Sequence, residues 1–389
     1  MTKSLYWAKP YQKTFTGTVL DVKNGAIILD KTLFYATAGN QIHDTGTITI
    51  EKKIFQVNNV EKDESDTYFH YTDPKPTQVI IGSTIKGEID WERRYLVMKA
   101  HTAQHIVSAI MVKQFNNKTI HANIKPGEFS IEFEQKITRE QLGSVMKECN
   151  QIFTIEEKKV NSHVLDHNSA TKKYSTKIRG IIPQVEEVRI LEVSGVDFNT
   201  CGGTHVKKSS EIGIVCVINI HRESEVSFLC AEKAIELLSS CNTDVIFSLI
   251  PLNCTLEEFP IVFEKKINEL QDLQKNQKDL SVLIVELLQY SPYEEINGIK
   301  TRFVDVNLPK KAVFNGFKKF EPDNVLTVKQ NSTQFLILSS SKNFPANMIV
   351  EKLKSIHGGK GGGSPLNAQI LFDKEPNEIQ KDIIHILSI

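Results

Sequence analysis

KAHTAQHIVSAI, residues 99–110, sets His101 and His105 four positions apart inside an otherwise apolar stretch. In an α-helix, at about 3.6 residues per turn, positions i and i+4 lie one above the other, so both imidazoles can converge on one point. The flanking sequence predicts that helix. Asp90 offers an N-cap ahead of WERRYLVMKAHTAQHIVSAIMVKQF, and Leu96, Val97, Ala100, Ala103, Ile106, Val107 and Ile110 supply a buried stripe. A metal ion is one thing two converging imidazoles hold. Spacing alone is weak support, because single histidines on a helix are usually satisfied by a carbonyl or by water. The chain carries its own control: His163 and His167 in SHVLDH repeat the interval in polar surroundings with no third ligand nearby, which reads as a solvated surface pair.

What distinguishes the first pair is CGGTHV at 201–206, which adds Cys201 and His205. Thiolate plus imidazole is a preferred zinc ligand set. Gly202 and Gly203, lacking a Cβ, allow a tight loop to turn both side chains toward one ion. The bland alternative for this motif is a glycine-rich turn with an incidental cysteine; the two motifs together make zinc the stronger reading. The helical motif is HTAQH rather than HExxH, so the glutamate base of zinc peptidases is missing. His101, His105, Cys201 and His205 would fill four positions. That is normally a structural site, and catalysis needs a loose ligand or expansion to five-coordinate. Thr102 and Gln104 flank the metal helix, with ordinary helix-surface hydrogen bonding as their alternative.

Around this pair of motifs the pattern is mixed. Residues 14–90 read as β: TGTVLDV, GAIILD, TLFYAT, TITI and VIIGSTI are short runs separated by turn signals, which predicts a small barrel over 1–89. An α+β domain over 90–235 follows, with strands EFSIEFE, EEVRILEV and IGIVCVINI, a helix over 138–154, and CGGTH in a loop between strands. Thr255 and Glu258 form a capping box before a long helix over 263–289, which predicts a helical connector over 236–292. Residues 293–389 read as a small α/β domain, in which the helix ANMIVEKLKSIH runs into GGKGGGSP as a C-cap and flexible turn. Neither a phosphate-loop order nor a dinucleotide fingerprint is present there, although Lys352, Lys354 and Lys360 leave room for a phosphate-facing role. The fold class expected is therefore α+β, built from these four parts.

Lysine plus arginine and aspartate plus glutamate are 47 each, so a nucleic-acid partner would be met by local patches rather than a global field. Six cysteines without a framework spacing suit a reducing cytoplasm. No apolar run approaches the ~20 residues that span a bilayer, and no membrane association is expected.

Four stretches resemble one family. HTAQH and CGGTH are similar to the zinc-ligand motifs of the alanyl-tRNA editing proteins, AlaX, and of the editing domain of alanyl-tRNA synthetase. KTLFYATAGNQIHDTG at 31–46 resembles the T-x-F-Y-P-x-G-G-G-Q-x-x-D-x-G segment of their barrel, and GGKGGGSPLNAQ at 358–369 resembles the GG-x-GGG-R-P-D-x-AQ motif of the C-Ala domain. The order of parts matches the long, free-standing AlaX form. The resemblance implies a zinc-dependent deacylase acting on tRNA(Ala) that carries a wrong amino acid, chiefly serine and also glycine, and a homodimer. It implies Zn2+ held by His101, His105, Cys201 and His205, and Thr32 at the serine hydroxyl. A pocket that hydrogen-bonds a hydroxyl rejects alanine, whose methyl would leave the polar group unpaired. On the same basis Gly39, Gln41, Asp44 and Thr102 join Thr32 at the substrate, Gln104 and Thr32 take catalytic roles, and Lys360, Gly361 and Gly362 contact RNA. The sequence departs from the pattern in Thr37-Ala38-Gly39-Asn40, where the family has glycines, and in Ser364 and Asn367, which replace Arg and Asp. Two alternatives stand beside it: a zinc-stabilised tRNA-binding protein without hydrolysis, and a small-molecule zinc hydrolase.

Overall fold

The computed structural model describes residues 2–389. Six antiparallel strands close into a barrel in the order Thr14–Lys23, Ala26–Leu29, Tyr68–Asp73, Lys53–Lys62, Gly46–Ile50, Thr84–Ile89. Alternate residues point inward, so Phe15, Val19, Ile27, Leu29, Ile48, Ile50, Phe55, Val57, Val60, Ile85 and Ile89 fill the interior. Bulges at Val19/Asp21 and Val57/Asn59 help the two longest strands bend around it. The expected strand pattern differs in detail. TLFYAT contributes only Lys31–Thr32, paired in parallel with Lys3–Ser4, and Ile80 and Ile81 of VIIGSTI are exposed. The strands Lys53–Lys62 and Tyr68–Asp73 are additions to that pattern; the second buries His70 and Thr72 and leaves Phe69 and Tyr71 less buried, which masks its alternation.

The helix Trp91–Phe115 starts where Asp90 accepts the Arg93 amide, as its sequence predicts. It is buried nearly all round from Val97 to Met111 instead of along one stripe. A four-stranded antiparallel sheet (order Val215–His221, Glu225–Cys230, Glu128–Phe133, Thr119–Lys125) and the helix Arg139–Gln151 enclose it. The side chain of Thr138 and that of Gln141 cap the latter helix reciprocally. A second sheet, Val160–Leu165, Val188–Val193 and Asp197–Thr200, presents the loop that follows its last strand. Asp44 from the barrel segment forms a fully buried ion pair with Arg94, which also donates to Leu33 O at 2.7 Å; barrel and helix are joined there.

The chain divides into two compact units, one ending at Phe247 and one running from Ser248 to Ile389. The barrel and the mixed domain both lie in the first. Residues expected as one connector form two helices, Ala231–Leu252 and Phe259–Leu288, with the Thr255–Glu258 box just ahead of the second. The first of these corrects the reading of apolar runs: at 22 residues and mean hydropathy 1.3 it is long and apolar enough, by length and composition, to cross a membrane. Ser239, Ser240, Asn242 and Thr243 break the run in sequence without lowering its average enough.

In the second unit the end of Phe259–Leu288 packs Val285 against Val313 and Phe317. A Cβ on Gly316 would lie 2.6 Å from the Val285 Cβ, so only glycine permits that approach. The six-stranded sheet runs Glu294–Ile296, Ile299–Asp305, Asn324–Lys329, Gln334–Ser339, Asn367–Leu371, Lys360–Gly363 and is covered on its two faces by separate apolar clusters. The glycine run differs from a flexible turn. Gly358 and Gly359 make the turn at φ 73° and 95°, and Lys360–Gly363 then forms the edge strand, Gly361 opposite Ile370.

Candidate metal centre

The helix Trp91–Phe115 brings His101 and His105 to one face, and the loop after Asp197–Thr200 delivers Cys201 and His205 to the same point. One ligand atom from each of the four lies within 4.8 Å of the others. The Cys201 Sγ is 3.5 Å from His101 Nε2 and 3.1 Å from His205 Nε2. Three imidazole nitrogens and one thiolate sulfur, this close together, fit a tetrahedral ion site.

The fit extends outward. His101 Nδ1 faces Gln41 Oε1 at 2.7 Å, His105 Nδ1 faces Asp197 Oδ2 at 3.1 Å, and His205 Nδ1 faces Thr102 Oγ1 at 3.1 Å. The Thr102 hydroxyl proton is committed to Met98 O, which leaves its oxygen to accept. With an acceptor at each Nδ1, the proton sits there and Nε2 is left for the ion, the usual arrangement of metal-bound histidine. Asp197 is in turn held by Arg179 at 2.9 and 3.1 Å. Gly203 is a steric necessity, because a Cβ there would lie 2.3 Å from His101 Cε1 and 2.6 Å from Gln41 Oε1.

Burial alone would raise the Cys201 thiol, but His101 and His205 beside it pull it well below the usual thiol range. Burial likewise drives His205 well below an ordinary imidazole. It opposes the charge on His105 too, yet the hydrogen bond to Asp197 and the thiolate push that group up to about 9. The neighbouring imidazoles thus favour the thiolate, the form that binds a metal, and a metal would compete with the His105 proton for the same centre.

Three of the four, His101, His105 and Cys201, line a cleft of about 630 Å3. Tyr6, Trp7, Tyr35 and Tyr68 contribute an aromatic wall, and Lys118, His121 and Arg179 contribute cationic or titratable groups. Gln104 lines it, its amide donating to Ser108 Oγ at 2.8 Å, and Gly39 lies in its wall. The other expected substrate contacts are placed differently. Thr32 is fully buried outside the lining; its hydroxyl meets His70 Nε2 at 2.9 Å and accepts the Phe34 amide. Gln41 and Thr102 hold ligand imidazoles, and Asp44 is spent on Arg94. Lys360, Gly361 and Gly362, expected at RNA and not at the substrate, lie on the edge strand Lys360–Gly363 of the second unit. His163 sits in a strand against Glu192 and His167 at a helix start against Pro183 O. Asp197, Arg179, Arg189 and Trp7 escape sequence reasoning, since no local pattern distinguishes an acid or a cation that is recruited through tertiary contact.

Comparison with known proteins fits this geometry. Residues 3–93 match the family of class II (A) tRNA synthetases, and residues 188–227 match the second additional domain of threonyl and alanyl tRNA synthetases. The alanine–tRNA ligase of Saccharolobus islandicus is 27% identical over 407 aligned residues, covering 99% of this chain and 44% of the ligase. That of Methanococcus maripaludis is 26% identical over 400, covering 100% and 44%. The chain thus spans less than half the length of these relatives. Over those two segments it is similar to the class II tRNA synthetases. Over nearly its whole length it is related to the alanine–tRNA ligases, and it is similar to the AlaX editing proteins.

Proposed function

We propose that the first unit hydrolyses the ester joining a wrong amino acid to the 3′ end of tRNA(Ala), chiefly serine and also glycine, at a zinc ion held by His101, His105, Cys201 and His205. The observation that carries this reading is a cluster of four convergent donors, three of which line a cleft, in a chain related throughout to alanine–tRNA ligases. When bound, zinc supplies a Lewis acid that polarises an ester carbonyl or lowers the pKa of a bound water toward ~7. Gln41, Asp197 and Thr102 orient the imidazoles. The aromatic wall offers stacking surface to an unpaired terminal base, and Lys118 with Arg179 offers charge to phosphates. Gln104 presents an amide whose carbonyl oxygen no described residue engages, suited to a substrate ammonium or hydroxyl. Water adds across the ester, releasing the free amino acid and a 3′-terminal hydroxyl.

The same reading makes the protein cytoplasmic and homodimeric, with the second unit contacting tRNA. Six free cysteines suit a reducing compartment. Exposed Leu270, Leu273, Leu280 and Leu287 along Phe259–Leu288 suit a second chain.

Incubation with Ser-tRNA(Ala) and Ala-tRNA(Ala) tests the proposal: serine is released selectively, and His101→Ala abolishes release. Equal rates on the two substrates exclude editing. The four-ligand set itself favours a second reading, a zinc-stabilised tRNA-binding protein, which predicts salt-sensitive binding of both tRNAs and turnover of neither.

A further inference from the structure

On the loop that carries Cys201, the carbonyls of Cys201, Gly202 and Gly203 are each taken by a donor outside the metal cluster. Arg189 Nη1 donates to Cys201 O and to Gly203 O, each at 2.8 Å. Between them, Gly202 O accepts from the Trp7 indole Nε1 at 2.7 Å. Arg189 also holds the loop by its backbone, its carbonyl accepting the Cys201 amide at 3.2 Å. The Trp7 ring lies 5.7 Å from the guanidinium carbon, so the two donors brace each other. The opposite edge of the loop faces inward: the Gly203 amide approaches Cys201 Sγ at 3.4 Å and the Thr204 amide donates to Gln41 Oε1 at 3.0 Å.

Arg189 is 6% exposed, and among the described residues no carboxylate lies within ion-pair distance of it. Its Nε is buried without a partner. A buried guanidinium with no carboxylate partner and an unpaired Nε is costly, and folds retain such a group where its geometry is needed. The feature it serves is the direction of three successive peptide groups. The two N–H groups of one guanidinium nitrogen, held in the guanidinium plane, fix the first and third carbonyls, and the indole fixes the second.

We propose that Arg189 and Trp7 form a clamp on the outer edge of the Cys201–Gly203 loop that aims the Cys201 sulfur at the metal, making both positioning residues of the centre. The clamp rests on the metal-site reading, and it uses the N-terminal segment, which supplies no ligand of its own. It accounts for a tryptophan and an arginine that neither zinc motif contains.

Cobalt(II) loading of the full chain tests the proposal. Arg189→Lys keeps the charge but loses the planar guanidinium that aims both Nη1 hydrogens; Trp7→Phe keeps the ring but loses the N–H. Both variants are expected to bind cobalt about tenfold to a hundredfold more weakly, with a shifted thiolate-to-cobalt absorption band and unchanged far-ultraviolet circular dichroism. Because Trp7→Phe is mild, it remains informative if the arginine variant does not fold. Cobalt affinity and spectrum unchanged from wild type in the folded variants would overturn the clamp. Wild-type protein that binds no cobalt at all would instead overturn the metal-site reading, and the clamp with it.

Discussion

The chain contains the interval His-x-x-x-His twice, and the two copies have opposite fates. His101 and His105 occupy one continuous helix, so the interval places them on one face, and a distant loop meets them with a thiol and a third imidazole. His163 lies in a strand and His167 opens the next helix, so the same interval puts them in different elements with separate partners. Spacing acquires chemistry only through the element that carries it and the acceptors that orient each ring. The first pair has Gln41 and Asp197 behind it.

The largest effect that can break this contrast comes from the ligands. Cys201→Ala or His105→Ala should lower metal affinity by at least about a hundredfold, whereas His163→Ala should leave metal content unchanged, both read by equilibrium dialysis.

A third histidine sharpens the comparison. His70 is as buried as the cluster residues but meets only Thr32 and the Ile27 carbonyl, and burial lowers it from 6.5 to about 4. The folded state therefore favours its neutral form. The unfolded chain binds the extra proton between those values, so this contribution is complete above pH 6.5 and is lost as pH falls toward 4. The loss is at most about 3 kcal/mol. Urea unfolding of the full chain, followed from about pH 7 down to about pH 4.5, should show it, and a His70→Gln variant should lose that part of the slope.

Next is Gly203→Ala. Its Cβ meets the His101 ring, so the ring or the loop must move; a cost of about 1–3 kcal/mol in stability and a weaker metal site are expected from thermal melting and metal titration. Smaller still is Thr102→Val, which keeps shape but removes the acceptor for His205 Nδ1. Metal affinity should fall about tenfold with stability reduced by about 1 kcal/mol. Titration of each variant with zinc in competition with a chelator checks both.

These residues also mark how far the sequence can be read. The ligands are legible because HTAQH has helical periodicity around it and Asp90 ahead of it, and because CGGTH joins soft ligands through residues without a Cβ. The residues behind the ligands are not, because Gln41, Asp197 and Thr102 reach their imidazoles from 60 to 103 positions away and hydrogen-bond geometry leaves no mark in local composition. Thr32 lies outside the cleft lining, buried against His70 of Tyr68–Asp73, a strand whose alternation is hidden because His70 and Thr72 occupy its buried positions. The run after His357 suggests a loop by composition, yet pairing with Asn367–Leu371 makes it an edge strand.

The most direct test is the zinc content of the purified chain, measured by plasma mass spectrometry beside that of the Cys201→Ala/His205→Ala double variant. One equivalent in the wild type and none in the variant is the outcome expected of a centre built from these two distant segments. A full equivalent in both proteins, or none in a folded wild type, would contradict it.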